Sequence, residues 1–376
     1  MNANPIPWLH QDSEGPYIMA PSHLQPWANR AKEFLKSHAL NDLVGFATSG
    51  SSGAPPKLIL FTQEALKVNA IAANKHLNAH QGDWCNPLPY YHVGGAMIWL
   101  RAHFAGVKVF PLHGKWNALQ YQKLIKETNS HWSSLVPTQV VDIVSQQLQA
   151  PESLKTIIVG GGKLDEKTGL QARNLGWPIV QSYGMTEAGS QIATAFPNEP
   201  FHTDKLTILP HWEVTTDNNG LVSIHGRGQL WGRLLTDNGD NFILEKQNPD
   251  LAWKTQDIVV LEAGQLTFIR RADRLVKVLG ELVDLDSITL FCQQTDPNIQ
   301  IETIPDIRQE NKLVACGPHK ENLIQAISLW NNQAIGYQKV HAMKVLKIPT
   351  NLMGKIARRE LKNEITSDLS KIIALP

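Results

Sequence analysis

The sequence predicts an α/β fold with two unequal parts, and three observations support this. From residue 84 to about residue 160, short apolar runs alternate with helical patterns, which indicates βαβ units and a largely parallel sheet. After about residue 205 the pattern becomes rich in β-hairpins. The last part of the chain again mixes helix and strand. We therefore expect a large N-terminal domain of mostly parallel sheets and helices with a β-rich segment, and a small α+β C-terminal domain.

The elements of the first half follow from local patterns. LVGFAT, residues 43–48, predicts a strand, and LILFT a second strand after the intervening loop. A helix, QEALKVNAIAANKHL, begins after Thr62, whose hydroxyl can cap its first turn. A second helix, AMIWLRAHFA, is closed by Gly106. The next elements, in order, are the strand VKVFPL, the helix ALQYQKLIKET, the strand WSSLV, the helix TQVVDIVSQQL and the strand LKTIIVGGG.

The second half predicts two hairpins and a smaller α+β unit. WEVTTDNNGLVSIHG is typical of a hairpin that turns at Asn219-Gly220, and IVVLEAGQLTFI of a second one. This β-rich segment ends near RRADR. Beyond it, ENLIQAISLWNNQ predicts an amphipathic helix and HAMKVLKI a strand.

Composition narrows the class of protein. The chain has 376 residues, a formal net charge of +1 and 42% hydrophobic residues, so it gives no indication of a nucleic-acid partner. Three separate cysteines, Cys85, Cys292 and Cys316, form no CxxC pair, which fits a reducing compartment. The N-terminal residues predict no signal peptide, and the longest apolar stretch is too short to cross a bilayer. We expect a soluble cytoplasmic protein without a membrane partner.

The segment ATSGSSGAPPK, residues 47–57, is typical of a phosphate-binding loop. Its glycines let backbone N–H groups turn toward an anion, and its hydroxyls add donors. It is not a Walker A loop, because Lys57 is followed by Leu and by a predicted strand, whereas a P-loop lysine opens a helix. A flexible surface loop rich in small residues is the alternative.

Two further motifs follow predicted strands. In SYGMTEAGSQ, residues 182–191, the hydroxyl of Thr186 and the carboxylate of Glu187 suit a Mg²⁺ ion held partly by phosphate oxygens. The alternative is an ordinary strand-to-helix turn with a favourable acidic residue. In VGGGKLD, residues 159–165, three glycines allow a flat ring to approach the backbone, and a tight βα turn is the alternative.

Two motifs lie in the last third of the chain. Asp257 in WKTQD could accept hydrogen bonds from a ribose diol, and Arg271 in FIRRADR could donate to it; solvated surface charges are the alternative. Lys355 in IPTNLMGKIARREL follows a glycine and precedes a basic helical pattern. Its alternative is a solvated helix start.

In these five motifs, and in their order, the sequence resembles the adenylate-forming enzymes, which include acyl-CoA synthetases, luciferases and the adenylation domains of peptide synthetases. The resemblance runs from about residue 43 to the C-terminus. It implies an ATP-dependent, AMP-forming enzyme that activates a carboxylate as acyl-adenylate and transfers it to a thiol, with ATP, Mg²⁺ and CoA as cofactor and co-substrates. It also implies domains 1–272 and 273–376, joined by a hinge at Asp273, with the small domain mobile.

The resemblance assigns roles residue by residue. The ATP phosphates would contact Thr48, Ser49, Gly50, Ser51, Ser52, Gly53 and Lys57. The adenine would contact Gly160, Gly161, Gly162, Ser182, Tyr183 and Gly184. Asp257 and Arg271 would bind the ribose, and Glu187 the metal. The catalytic residues would be Lys355, Thr186, Glu187 and His92.

The family pattern is not followed everywhere. Pro55-Pro56 stands where one proline is usual, Gln256 where a glycine usually precedes the aspartate, and Arg270 where a glycine usually precedes the arginine. Few residues precede the phosphate loop, which predicts a reduced first subdomain.

Within the family, SYGMTEAGSQIATA, LPYYHVGGAMIWLRAHFAG and GELV most resemble the o-succinylbenzoate–CoA ligases of menaquinone biosynthesis. His92 would lie at the acyl pocket, or be a structural histidine. Ser190 could share a helix face with Glu187. Arg101 could pair with the second carboxylate of the substrate, or extend to solvent. Another aryl- or acyl-CoA synthetase, transfer to a carrier protein, and a nucleotide-binding protein without turnover are left open, as is a homo-oligomer.

Overall fold

The computed structural model describes residues 5–9, 14–48, 56–237, 241–306, 308–350 and 356–374. In chain order, the strands of this part of the chain are β1 (Tyr17–Met19), β2 (Leu43–Thr48), β3 (Lys57–Thr62), β4 (Trp84–Asn86), β5 (Val109–Pro111), β6 (Trp132–Leu135), β7 (Thr156–Val159), β8 (Ile179–Met185), β9 (Ser190–Thr194), β10 (Leu206–Ile208), β11 (Trp212–Thr216), β12 (Leu221–Gly226), β13 (Gly232–Thr236), β14 (Phe242–Lys246), β15 (Trp253–Glu262), β16 (Gln265–Arg271), β17 (Leu275–Val278), β18 (Glu281–Asp284), β19 (Gln300–Asp306), β20 (Glu310–Gly317), β21 (Ala342–Val345) and β22 (Ile373–Ala374).

The α-helices of the same residues are α1 (Gln25–Ser37), α2 (Gln63–Leu77), α3 (Val93–Ala105), α4 (Ala118–Thr128), α5 (Pro137–Ser145), α6 (Glu166–Asn174), α7 (Leu285–Cys292), α8 (Lys320–Asn331) and α9 (Arg358–Ser367). Two short 3₁₀ helices matter for the site. They lie at Thr186–Ala188 and Ala272–Arg274.

The largest sheet is mixed, with the order β11-β12-β15-β16-β10-β9-β8-β7-β6-β4-β5. Its parallel part runs from β5 to β8, where helices alternate with strands as the sequence predicts. The remaining strands pair antiparallel and include both predicted hairpins. The α/β prediction is therefore confirmed, with parallel pairing in this sheet confined to β4–β8.

A second sheet, β1-β2-β3-β13-β14, carries the candidate phosphate loop. Strands β2 and β3 form an antiparallel hairpin in which Thr48 pairs with Lys57. The prediction that two strands flank this loop is confirmed, and a strand, not a helix, begins at the lysine. The loop residues Ser49, Gly50, Ser51, Ser52 and Gly53 lie outside the described residues.

The residues from 275 onward form sheets and helices of their own. Strands β19-β20-β21-β22 make a sheet, β17 and β18 a short hairpin, and α7, α8 and α9 lie along the same part of the chain. The buried apolar side chains here group among themselves in two clusters, and all of their members lie after residue 275. The small α+β unit thus has a hydrophobic core of its own.

Local signals set several boundaries correctly. The Thr62 hydroxyl accepts a hydrogen bond from the Ala65 N–H at 3.1 Å, as expected of an N-cap. Gly106 ends α3 in the left-handed conformation, with φ of 69°. The sequence pattern did not single out β1, β4, α1, α6, α7 or the strands β13 and β14, whereas the basic helical pattern after Lys355 corresponds to α9.

A half-buried histidine connects α2 to the β-rich segment. The His211 Nε2–H donates to Asn69 Oδ1 at 2.6 Å, and Asn69 Nδ2 donates to the Gly228 carbonyl at 3.0 Å. Burial lowers the pKa of His211 to about 4. The folded protein thus favours the neutral imidazole.

We expect the free energy of unfolding to fall as the pH is lowered from about 6.5 to about 4. The folded-state pKa of His211 lies below its ordinary value of 6.5, so the unfolded chain binds more protons in this window. The His211→Gln variant keeps an N–H donor toward Asn69 and should show a shallower decline. Urea unfolding at several pH values measures this, with the exposed His23→Gln as control. Equal pH dependence in the wild type and His211→Gln would contradict it.

Candidate active site

A cavity of about 150 Å³ opens at the carboxyl ends of the parallel strands. This edge is where α/β sheets commonly bind ligands. The walls come from the ends of β6, β7 and β8, from the start of α3 and from β9. The lining includes His92, Arg101, Gly160, Gly161, Ser182, Gly184, Thr186, Ser190 and Gln191.

A lysine–glutamate pair joins the end of the candidate phosphate loop to the turn after β8. The Lys57 Nζ is 3.3 Å from the Glu187 Oε1, and their side chains are 28% and 20% exposed. The buried Thr48 Oγ1 has no hydrogen-bond partner among the residues that the structure describes. Two motifs 130 residues apart thus meet, and they place a cation, a carboxylate and a hydroxyl donor together.

The glycine-rich turn after β7 is a tight βα connection that also borders the cavity. Gly161 has a φ of 82°, a backbone conformation that favours glycine. The Ser182 hydroxyl donates to the Val159 carbonyl at 3.1 Å and lies 3.0 Å from where a Cβ of Gly160 would be. A side chain at Gly160 would therefore press on Ser182. Gly162 lies outside the cavity lining.

The candidate ribose pair is formed across the second hairpin. Asp257 on β15 and Arg271 on β16 are register partners, and the Arg271 Nη1 is 3.3 Å from the Asp257 Oδ1. The Tyr183 hydroxyl donates to the Asp257 Oδ2 at 2.7 Å. Asp257 is 6% exposed, so the alternative of a solvated surface charge is wrong for it. Burial raises the pKa of Asp257 and outweighs the opposing effects of Tyr183 and Arg271.

Arg271 also binds Asp273, which lies two residues further along the chain. Its Nε and Nη2 each donate to the Asp273 carboxylate at 2.8 Å. These bonds lower the pKa of Asp273. One guanidinium therefore connects the candidate ribose carboxylate with the candidate hinge residue. The neighbouring Arg270 is 3.7 Å from the Asp284 carboxylate, and Gln256 is exposed on β15.

The structure corrects two expectations at the acyl side of the cavity. Ser190 does not share a helix with Glu187: the 3₁₀ turn ends at Gly189, and Ser190, with φ of 115°, begins β9. Gly184 permits this geometry, since a Cβ there would lie 1.7 Å from the Ser190 carbonyl oxygen. Ser190 lines the cavity, but Glu187 does not.

Arg101 does not extend to solvent. It is 2% exposed, and its Nη2 donates to the Gln191 Oε1 at 2.7 Å. Its guanidinium carbon lies 5.9 Å from the centre of the Trp84 ring, and its Nε has no hydrogen-bond partner among the described residues. In the part of the chain that the structure describes, no carboxylate forms an ion pair with Arg101. Burial lowers its pKa to about 9, so it remains a cation at neutral pH.

His92 is the N-cap residue of α3 and lines the cavity. Its ring lies 4.9 Å from that of Tyr91. Lys355 is outside the described residues, but the chain on either side of it is joined by a bridge between Thr350 and Ile356. Gln191 was not singled out in the sequence, because nothing local marks it as the partner of an arginine 90 residues away.

The sequence model described as AMP-binding enzyme matches residues 25–232. The chain, with its mixed sheet and its cavity at the ends of the parallel strands, therefore belongs to this family. A curated relative, 2-succinylbenzoate–CoA ligase of Staphylococcus aureus, is 34% identical over 174 residues, which are 46% of this chain and 35% of that protein. The match thus spans about a third of the length of the curated relative.

Solved structures share the fold. The O-succinylbenzoate coenzyme A synthetase (MenE) of Bacillus subtilis in complex with ATP and magnesium ion has a TM-score of 0.69 at 23% identity, covering 85% of this chain and 69% of that one. ATP-bound MatB of Rhodopseudomonas palustris has a TM-score of 0.70 at 16% identity, covering 86% and 68%.

Among the residues that the structure describes, no helix is both long and apolar enough to cross a membrane. The same residues contain no group of three or more His, Cys, Asp or Glu side chains that could hold a metal ion.

Proposed function

We propose that this protein is an ATP-dependent, AMP-forming acid–thiol ligase that activates o-succinylbenzoate and transfers it to CoA. The observation that carries the proposal is the buried cation of Arg101 in the cavity of an AMP-binding enzyme. A buried guanidinium without a carboxylate partner is costly unless an anion pairs with it. An acid with two carboxylates supplies that anion and still offers a second carboxylate for activation.

In this proposal the nucleotide lies across the strand ends. Its phosphates contact Thr48, Lys57 and the loop between them, and its adenine lies over Gly160–Gly162 beside Ser182, Tyr183 and Gly184. Asp257 accepts from the ribose hydroxyls, and Arg271 donates to them. The protein's contribution is chiefly positioning and stabilisation of charge, because the attack of a carboxylate on the α-phosphate needs little covalent help.

The residues present fit a magnesium ion. Glu187 and Thr186 offer one carboxylate and one hydroxyl, and Mg²⁺ commonly takes one or two protein ligands with phosphate oxygens and water. When bound, the ion would offset the charge of the leaving pyrophosphate. Lys57, which pairs with Glu187 at 3.3 Å, keeps this carboxylate turned toward the phosphate loop.

His92, Ser190 and Arg101 line the acyl side of the same cavity. We assign His92 to the wall beside the reacting carboxylate, and we assign Arg101 to the binding of the second, distant carboxylate. Two domains, 1–272 and 273–376, with a hinge at Asp273, let one site serve adenylation and thiol attack in turn. The separate C-terminal core supports this division. Three buried, unpaired cysteines suit a reducing compartment, and we place the enzyme in the cytoplasm.

The direct test is incubation with o-succinylbenzoate, ATP, Mg²⁺ and CoA. We expect AMP, pyrophosphate and the mono-CoA thioester in equal amounts. Benzoate, coumarate and a fatty acid serve as competing acids, and a holo-carrier protein as a competing thiol. A higher kcat/KM for any competing acid would overturn the substrate, and absence of AMP with every acid would overturn the ligase activity.

The Asp273→Pro variant is expected to impair one half-reaction more than the other by roughly tenfold, about 1.4 kcal/mol in one barrier. Proline fixes φ near −65°, so a hinge that needs two backbone states would be held in one. Asp273→Ala is the control, because it removes the carboxylate bound to Arg271 but leaves the backbone free. Pyrophosphate exchange and thioester formation from supplied adenylate are measured separately. The hinge role would be wrong if both variants lost both steps equally.

A further inference from the structure

The amide of Gln191 is held between the buried Arg101 and a buried hydroxyl. Its Oε1 accepts from the Arg101 Nη2 at 2.7 Å, and its Nε2 donates to the Thr194 Oγ1 at 2.6 Å. Its backbone carbonyl accepts from the Trp212 indole N–H at 3.0 Å. Gln191 is 4% exposed, and Thr194 is fully buried.

The orientation of this amide follows from chemistry. A guanidinium can only donate, so the atom that faces Arg101 must be the amide oxygen. The amide nitrogen therefore faces Thr194, whose hydroxyl oxygen can accept. With both ends bonded and the backbone anchored, Gln191 presents a fixed acceptor to one Nη of Arg101.

The neutrality of this acceptor matters as much as its position. An amide orients the guanidinium but leaves its charge uncompensated, and the Nε of Arg101 has no partner among the described residues. A carboxylate at the same place would pair with Arg101 permanently. It would also repel a second anion in the cavity, because like charges at close range in a buried site are strongly unfavourable.

We propose that Gln191 is a positioning residue that makes the site selective for acids with a second carboxylate, by orienting Arg101 without neutralising it. This rests on the proposed function and deepens it. Gln191 acts through Arg101, and its effect belongs to the binding of the distant carboxylate. The reacting carboxylate and the nucleotide do not depend on it.

Gln191→Glu is the decisive variant. It has nearly the same shape, keeps an acceptor toward Arg101 and can accept from the Thr194 hydroxyl, but it adds one negative charge. We expect kcat/KM for o-succinylbenzoate to fall about 100-fold, chiefly through KM. For benzoylpropionate, which lacks the ring carboxylate, kcat/KM should change less than threefold, and so should the KM for ATP. Gln122→Glu is the matched control, since Gln122 is a buried glutamine on α4 outside the cavity.

Two further variants complete the test. Thr194→Val removes the hydroxyl that holds the amide and should raise the KM for o-succinylbenzoate a few-fold, with that for benzoylpropionate unchanged. In an Arg101→Met background, Gln191→Glu should change the ratio of kcat/KM values for the two acids much less than in the wild type, because only the repulsion between the two carboxylates is left. If Gln191→Glu destabilises the fold, Thr194→Val carries the test alone.

The outcomes separate this inference from the proposed function. If the wild type forms adenylate from neither acid, the proposed function is wrong and this inference falls with it. If the wild type prefers o-succinylbenzoate but Gln191→Glu lowers both acids by the same factor, only the role of Gln191 is overturned. An unchanged ratio of the two acids in Thr194→Val overturns it as well.

Discussion

Replacement of Glu187 by glutamine is expected to lower the rate of adenylate formation by roughly 10²–10³, or about 3–4 kcal/mol, the cost of removing one preorganised charge-stabilising group. The carboxylate lies 3.3 Å from the ammonium of Lys57, which ends the candidate phosphate loop. Glutamine keeps the size and an oxygen toward Lys57, but it is a much weaker metal ligand. Substrate phosphates and magnesium would therefore be positioned less well, although the fold would be kept.

Pyrophosphate exchange at several magnesium concentrations measures this effect. Glu64→Gln is the matched control, because Glu64 also pairs with a lysine, Lys67, at 3.4 Å, but on an exposed helix surface. Such surface pairs contribute at most about 1 kcal/mol. If Glu187→Gln lowered the melting temperature as much as Lys57→Met does but left exchange within threefold of wild type, Glu187 would be only a structural partner of Lys57.

The second large effect concerns Lys355, which the proposed division of the chain assigns to the small domain 273–376. The family resemblance implies that the Lys355 cation would offset the charge that accumulates at the α-phosphate, so Lys355→Ala should reduce adenylation by roughly 10²–10³. Thioester formation from supplied acyl-adenylate should be largely spared. In the proposed two-domain scheme, thiol attack takes place with the other face of the small domain toward the nucleotide, so that Lys355 is remote.

Measuring the two half-reactions separately tests this role of Lys355. Lys347→Ala is the control, since Lys347 is an exposed lysine in the same stretch of chain. It should change neither step. Comparable losses in both steps for Lys355→Ala would contradict a lysine that serves one arrangement only.

The features that could be predicted from the sequence are those set by local chemistry. Asn219-Gly220 specifies one hairpin turn, and Thr62 and Gly106 mark helix ends through their own capping. The strand after Lys57 could also be predicted, because a continuous run of four large apolar residues, LILF, follows it directly. The sequence order of the five motifs indicated the family, and the family match bears this out.

The errors and omissions involve contacts between distant parts of the chain. A helix suits the residues Thr186, Glu187 and Ala188, but the next two, Gly189 and Ser190, adopt positive φ. Ser190, at the start of β9, pairs with Met185 at the end of β8. Tertiary pairing with β8 outweighs the local helical preference there. The burial of Arg101 depends on Trp84 and Gln191, which flank it only after folding. No local sequence pattern predicts contacts between residues so far apart in the chain.

The hydrogen-bonded ladder between β2 and β3 determines how far the length of the candidate phosphate loop can vary without moving Lys57. Because the register sets Lys57 opposite Thr48, the lysine's place is decided by the two strands and not by the number of residues between them. Lengthening such a connection is inexpensive, since even a doubling costs only about 0.6 kcal/mol in closure entropy. The doubled proline at Pro55-Pro56 is therefore compatible with an unmoved lysine. A library that varies length and composition between these strands should change phosphate affinity while the lysine stays in place.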